Sequence, residues 1–390
     1  MRGSTVVPPR DLGELARLSQ AVLLARASTS TTIARGGMIV TLTTFEVVEV
    51  VQGTVRQRDH VVVETYGGVS DGVGWMVAGS PRFSEDTVYL LFLNRRGRVW
   101  QPRMLAYGLL ERTLARDGSV VLSHIAEHHE LELLPRPDGT LSEPVGTYYE
   151  EPLLRHLREV VTARTVWDQR QALVPLALHP TTHAASKTSD TIPSPCVYMS
   201  YDGYTIRWNT FDNGQPVTVY AEESGGSAEV TAVQNGLSAW NSFGDIDLHW
   251  GGTSPYTPDC SDGRASPGDL AADQGLVQYD DPCSEIPDLA SCSGTLAIGG
   301  SFFMVGPTGR HAHRGLEWNT STIGYVIVNN DVATCLSSNQ YRLMMTHELG
   351  HTLGFDHIPV ASGASIMNPS CCNDITVIDQ NCALFSYSDA

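Results

Sequence analysis

Apolar and polar positions alternate in short bursts along the first third of the chain. Residues 21–27, 38–51, 60–65, 73–77, 87–93 and 99–105 are rich in Val, Leu, Thr and aromatic residues, which suit a pleated, half-buried surface. Gly36-Gly37, Gln52-Gly53, Gly67-Gly68, residues 94–97 and Asp117-Gly118 separate these runs with turn chemistry. Many short strands at close spacing predict an all-β, barrel-like N-terminal domain. The period then changes. Across residues 151–167, Leu153, Leu154, Leu157, Val160 and Val161 share one helical stripe. Residues 168–195 read as a linker, small and polar and punctuated by Pro193 and Pro195.

After Cys196 the pattern mixes both periods. Residues 205–209, 246–251, 276–279, 295–305, 316–318 and 325–328 predict strands, and residues 227–242 an amphipathic helix. An acidic, Gly- and Pro-rich stretch fills residues 252–275. Residues 339–354 predict a helix with Leu343, Met344, Leu349 and Leu353 facing inward, and residues 374–385 a last helix capped by Asp374. The expected fold class is α+β. It has an N-terminal domain over 1–167, a linker over 168–195, and a second domain over 196–390 built on a mixed sheet.

Composition sharpens that division. At 390 residues the chain has room for two domains of ordinary size. It has no run of about 18 apolar residues and so no transmembrane helix. With 43 acidic against 25 basic side chains and a net charge of −18, it lacks the basic surface that nucleic acid requires. Residues 191–390 hold 22 Asp and Glu against 5 Arg, which places an excess of 17 negative charges in the second domain. All 8 cysteines lie there too, from Cys196 to Cys382. An even set confined to one domain favours disulfides, and disulfides favour a secreted, extracellular setting. The first apolar run, residues 21–25, is too short for a signal peptide and follows Asp11 and Glu14. Met1-Arg2-Gly3-Ser4 resembles a vector-derived start, so the expectation is that a leader has been removed from this form.

The candidate chemistry lies in one stretch, His347-Glu348-Leu349-Gly350-His351-Thr352-Leu353-Gly354-Phe355-Asp356-His357. A helix puts His347 and His351, four residues apart, on one face, a spacing that suits two ligands of a tetrahedral zinc ion. Glu348 lies beside that face, where it can take a proton from a metal-bound water. Gly354 permits the tight turn that ends the helix and lets the chain return His357 as a third ligand. Three histidines leave the fourth position open, the mark of a catalytic zinc site. Chance occurrence of the whole pattern is on the order of 10⁻⁴ in a chain of this composition. The plain alternative is a helix with surface histidines.

This pattern resembles the metzincin clan of zinc metallopeptidases. That clan carries a downstream Met-turn, matched here by Ser365-Ile366-Met367-Asn368-Pro369, with Met367 beneath the metal. The resemblance covers residues 196–388. It is nearest to the matrixins, with Ile358 and Asn368 as departures, and the near-exclusive use of Arg (Lys187 is the only lysine) suits a bacterial source. It implies a secreted zinc endopeptidase in which His347, His351 and His357 bind Zn²⁺ and Glu348 serves as general base and then general acid. A protein or peptide substrate would add as a strand along residues 295–304, with residues after Met367 lining the pocket beyond the cut. His311 and His313 resemble ligands of a second, structural zinc, against an exposed loop as the plain reading. Calcium is a further candidate at Asp259, Asp262, Asp269, Asp273, Asp280 and Asp281, against a solvated acidic surface. Asn319-Thr320-Ser321 matches a glycosylation acceptor.

Matrixin zymogens often block the metal with a prosegment cysteine. Here only Cys196 or an aspartate such as Asp190 is at hand. The N-terminal strands faintly resemble the OB-like barrel of netrin-type modules, a barrel shared by tissue inhibitors of metalloproteinases. That resemblance makes intramolecular inhibition by the N-terminal domain one expectation and an accessory domain the other. The alternatives to an active enzyme are a latent zymogen and a non-catalytic binding protein that keeps the metzincin shell.

Overall fold

Strands dominate both halves of the chain, with several helices packed on them, and the architecture is mixed α+β. The computed structural model describes residues 5–7, 9–35, 38–125, 132–133, 146–163, 192–254, 270–290, 292–359, 362–368 and 373–388. In the N-terminal half the order is β1 (Thr5–Val7), α1 (Leu12–Leu18), β2 (Ala21–Arg35), β3 (Met38–Gln52), β4 (His60–Tyr66), β5 (Gly68–Ser70), β6 (Val73–Val77), β7 (Val88–Arg96), β8 (Val99–Ala106), β9 (Leu109–Leu114), β10 (Val120–His124), β11 (Glu132–Leu133), β12 (Thr147–Tyr149) and α2 (Glu150–Ala163). In the C-terminal half it is β13 (Ser200–Tyr201), β14 (Tyr204–Arg207), β15 (Val217–Glu222), α3 (Ser227–Trp240), β16 (Leu248–Ser254), β17 (Gln274–Gln278), β18 (Gly294–Thr295), β19 (Ala297–Met304), β20 (Arg310–His313), β21 (Leu316–Val328), α4 (Val332–Cys335), α5 (Ser338–Thr352) and α6 (Val377–Tyr387).

Eight N-terminal strands form one sheet, in the order β12-β10-β9-β7-β2-β3-β4-β8. β8 also pairs back onto β7, so β2, β3, β4, β8 and β7 make a closed ring of pairings. Residue alternation explains the apolar runs. Ala21, Leu23 and Ala25 join one core with Phe45, Val63 and Leu91, while Val22 and Leu24 face a second core under α1 and α2. A strand buried on both faces reads as continuously hydrophobic.

In the C-terminal half β15, β16, β17 and β21 run parallel, and β19 pairs antiparallel to β21. α3 and α5 pack on this sheet around Trp240, Leu349 and Met367. The disulfide Cys196–Cys382 ties the start of this half to α6, and Cys292–Cys335 ties the loop before β18 to α4. Among the described residues no helix is long and apolar enough to cross a membrane.

The halves interlock through strands. β1 pairs with β18, and the β5–β6 hairpin continues the C-terminal sheet past β19. A shared core of Tyr66, Trp75, Val77 and Leu105 with Leu276, Ile298, Phe302 and Ile327 lies beneath this junction.

Several expectations need correction. Residues 316–318 and 325–328 belong to one 13-residue strand, whose middle (Asn319, Thr320, Ser321, Thr322) is too polar to read as a strand in isolation. The last helix starts at Val377 under Thr376, whose side chain accepts from the Ile378 N–H, and not under Asp374. Residues 217–222 are a strand with a period-two signal in Val217, Val219 and Ala221. The helix tail at 164–167, most of the linker, Asp190, Pro369, Cys371, Cys372 and the acidic residues Asp259, Asp262 and Asp269 lie outside the described residues.

Candidate metal centre

Helix α5 begins with a reciprocal cap: the Ser337 side chain accepts from the Gln340 N–H, and the Gln340 side chain accepts from the Ser337 N–H. It is buried on nearly every side. Leu343, Met344, Leu349 and Leu353 all face the core, as the helical period requires. Trp240 and Trp208 donate their indole N–H groups to the Thr346 and Thr352 carbonyls, each at 2.8 Å. The helix ends at Gly354 with φ +90°, a left-handed value that glycine accepts without strain. A Cβ there would also strike the Ile206 carbonyl of β14. The chain turns at this point, and the Met199 N–H donates to the Gly354 carbonyl while the Asp356 N–H donates to the Val197 carbonyl.

That turn brings His357 back to His347 and His351. The ring centroids of the three lie 4.5–4.9 Å apart, and the Nε2 atoms of His351 and His357 each lie 2.8 Å from Nε2 of His347. His347 Nδ1 sits 2.7 Å from the Ile366 carbonyl and His351 Nδ1 2.9 Å from the Phe355 carbonyl. A carbonyl only accepts, so each Nδ1 carries the proton and each Nε2 presents a lone pair. Burial pushes His347 well below its ordinary 6.5, assisted by neighbouring His351 and opposed by the Ile366 carbonyl. Burial likewise brings His351 down to about 4. Both rings are therefore neutral at physiological pH, the state in which imidazole donates an electron pair. Among the described residues, His347, His351 and His357 form the one cluster of His, Cys, Asp or Glu close enough to share a metal ion.

Glu348 is fully buried beside this cluster. It packs on β19 at Gly299, where a Cβ would collide with the Glu348 backbone and side-chain carboxylate. Met367 packs under α5 at Gly350, where a Cβ would meet its sulfur. All six residues singled out from the sequence, His347, Glu348, His351, Gly354, His357 and Met367, thus gather in one place.

The turn at 365–368 is held by Asp379, which sequence reasoning did not select, and by Asn368, which it marked only as a departure. Asp379 of α6 accepts from the Ser365 hydroxyl, from the Ile366 N–H at 3.0 Å and from the Thr376 N–H at 2.8 Å. Asn368 donates to the Ile358 carbonyl at 2.9 Å and to the Gly363 carbonyl at 3.1 Å, and accepts from the Ser365 N–H at 2.8 Å. A tyrosine could not make these three bonds, which gives a physical reason for Asn at this position. The only sequence signal for Asp379 is its place as the third helical residue after Thr376, in a capping box.

Among the described residues, the other candidate cation ligands do not converge. His311 Nε2 lies 3.0 Å from Arg207, and Arg207 pairs with Asp212. Burial, then Arg207, brings His311 down to about 4. His313 lies 4.0 Å from Asp212. Asp281 accepts from the Glu285 and Ile286 N–H groups and so caps its own turn, and Asp273 accepts from the Thr210 hydroxyl, which ties β17 to the segment after β14. No family model matches the chain, and no curated protein matches it.

Proposed function

We propose that this chain is a secreted, zinc-dependent endopeptidase of the metzincin class, nearest to the matrixins. One observation carries the reading. Three buried imidazoles, two of them held as Nδ1–H tautomers by backbone carbonyls, aim their Nε2 atoms at one another next to a buried carboxylate. Lone pairs so arranged repel unless a cation lies among them, and an all-nitrogen donor set suits zinc. The donor set therefore fits the ion. His347, His351 and His357 would hold it, with Met367 and Gly350 packed below.

Bound zinc would supply Lewis acidity, acidifying water and polarising the scissile carbonyl. Glu348 then takes a proton from the attacking water and passes it to the departing amine nitrogen. Gly299 keeps the carboxylate in place by leaving no side chain in its way. The Ile366 and Phe355 carbonyls fix the tautomers of His347 and His351, outer contacts that typically matter 10–100-fold in metal affinity or activity. Disulfides Cys196–Cys382 and Cys292–Cys335 suit an oxidising, extracellular compartment. The closed ring of β2, β3, β4, β8 and β7 supports an OB-like barrel for the N-terminal half.

The test is cleavage of casein over a long incubation, with and without a zinc chelator. Chelator-sensitive cleavage that disappears in Glu348→Ala while zinc stays bound supports the reading. Normal turnover by Glu348→Ala sinks the role of Glu348, and chelator-insensitive cleavage sinks the metallopeptidase.

A further inference from the structure

We propose that the β5–β6 hairpin of the N-terminal half is a built-in blocking strand, which holds the enzyme latent by occupying the sheet edge beside Glu348. This rests on the peptidase reading above. β19 and β21 are the strands of the C-terminal sheet packed on α5, and β19 is the outer of the two. Its Gly299 lies against Glu348. Without β6, β19 would present a row of main-chain N–H and C=O groups alongside α5 and Glu348, a ready template for an extended polypeptide.

β6 takes that edge over residues 300–304. It pairs antiparallel from Val77 opposite Gly300 to Val73 opposite Met304. Beyond the strand ends, the Ala78 N–H donates to the Gly299 carbonyl at 3.3 Å and the Val305 N–H to the Gly72 carbonyl at 2.9 Å. The blocking strand therefore reaches the very residue packed on Glu348. Antiparallel ladders alternate bonded and non-bonded pairs. The two outer bonds set the phase, so Gly74 and Met76 turn their N–H groups toward Phe303 and Ser301. Approach is close: a Cβ at Gly300 would collide with the Met76 carbonyl, and a Cβ at Gly74 with the Phe303 ring. Trp75 stacks on Phe302 with centroids 5.3 Å apart and planes 7° off parallel.

The hairpin is also built to persist. Asp71 and Gly72 both have positive φ, 52° and 79°, the turn geometry that matches strand twist. Behind it the N-terminal half is anchored by backbone-directed bonds. Tyr66 donates to the Glu285 carbonyl, Arg96 to Cys283, and Arg103 to Asp288 at 3.0 Å. β1 pairs with β18, and Ser293 donates to the Val7 carbonyl at 2.9 Å. A blocking element held by so many contacts outside residues 164–191 stays in place when only that connection is cut. Activation therefore requires the N-terminal half to be displaced or digested as well as severed.

The test compares the zinc-loaded full chain with Met76→Pro, which removes an N–H aimed at β19, and with Gly74→Ala, which pushes the hairpin off the Phe303 ring. Readouts are zinc content, amide hydrogen exchange over residues 299–304, casein cleavage, and binding of fluorescent casein. The expected result is unchanged zinc, at least tenfold faster exchange along β19, and at least tenfold faster cleavage in both variants. Where Met76→Pro fails to melt cooperatively, Gly74→Ala carries the comparison. Faster exchange with cleavage equal to wild type overturns the proposal and leaves the peptidase intact. If none of the three proteins cleaves, the peptidase reading fails, and casein binding decides the blocking role. Binding by the variants but not by wild type supports it, and equal binding overturns it.

Discussion

Asp379 lies in α6, buried against the turn it supports, and through that turn it sets the orientation of His347. Its two oxygens face only donors. One accepts from the Ile366 and Thr376 N–H groups and the Thr376 hydroxyl, the other from the Ser365 hydroxyl and, at 3.4 Å, the Met367 N–H. Asp379→Asn keeps the shape and replaces one acceptor with an NH₂ group. Whichever way the amide turns, that NH₂ points at two or more donors, at least one of them a buried N–H. Each charge-assisted bond lost without replacement costs about 1.5–3 kcal/mol, so a loss of roughly 3–5 kcal/mol follows. At about 2–4 °C per kcal/mol for a domain of this size, the melting temperature of the C-terminal half should fall by roughly 6–20 °C. The Ile366 carbonyl, 2.7 Å from His347 Nδ1, moves with the turn, so zinc affinity should drop about 10–100-fold. Calorimetry of the metal-free chain and competition against a chromogenic chelator measure the two effects separately. A melting temperature within 1 °C of wild type, together with unchanged zinc affinity, would refute the claim that this carboxylate builds the turn.

Three further predictions follow from the same geometry. Gly299→Ala places a methyl group against the Glu348 carboxylate and backbone, so kcat should fall at least tenfold with zinc content unchanged; full activity would remove Gly299 as a positioning residue. Gly354→Ala strains a φ of +90° and meets the Ile206 carbonyl, so His357 should be misplaced and zinc occupancy reduced, as read by metal analysis after gel filtration. His311 has its folded value near 4 against an ordinary 6.5. The unfolded chain therefore binds the extra proton between those values, and stability present above pH 6.5 is lost as pH falls toward 4. His311→Gln, which leaves Arg207, Asp212 and His313 in place, should flatten melting temperature against pH over that window.

What could be read from the sequence was local. Four-residue spacing places His347 and His351, Gly354 marks the reversal that returns His357, and a methionine ten residues on suits the space under Gly350. The N-terminal strands were legible because residues 21–25 are apolar and buried on both faces and residues 38–51 are rich in Val, Ile and Thr. The outer half of β2 escaped notice because Ser28, Thr29, Ser30, Thr31 and Thr32 form strand through Thr and Ser pairs with β3, such as Ser30 with Thr43 at 2.8 Å. Strand β21 looked like two pieces for a similar reason. Asp379 and Asn368 carry no periodic signal, since their work is to accept and donate to turn groups that sequence cannot locate. The largest omission was the insertion of β6 against β19. That pairing joins residues more than 200 apart, and nothing in a local pattern of apolar and polar positions says which distant edge a strand will cover.

The most direct test of the account is the metal content of the purified full chain, which does not depend on whether the cleft is open. The account predicts one tightly held zinc per chain that survives gel filtration and is lost when His347 or His351 is changed to alanine. A chain that retains no zinc, or that retains it equally well in both alanine variants, would contradict the assignment of this cluster as a metal centre.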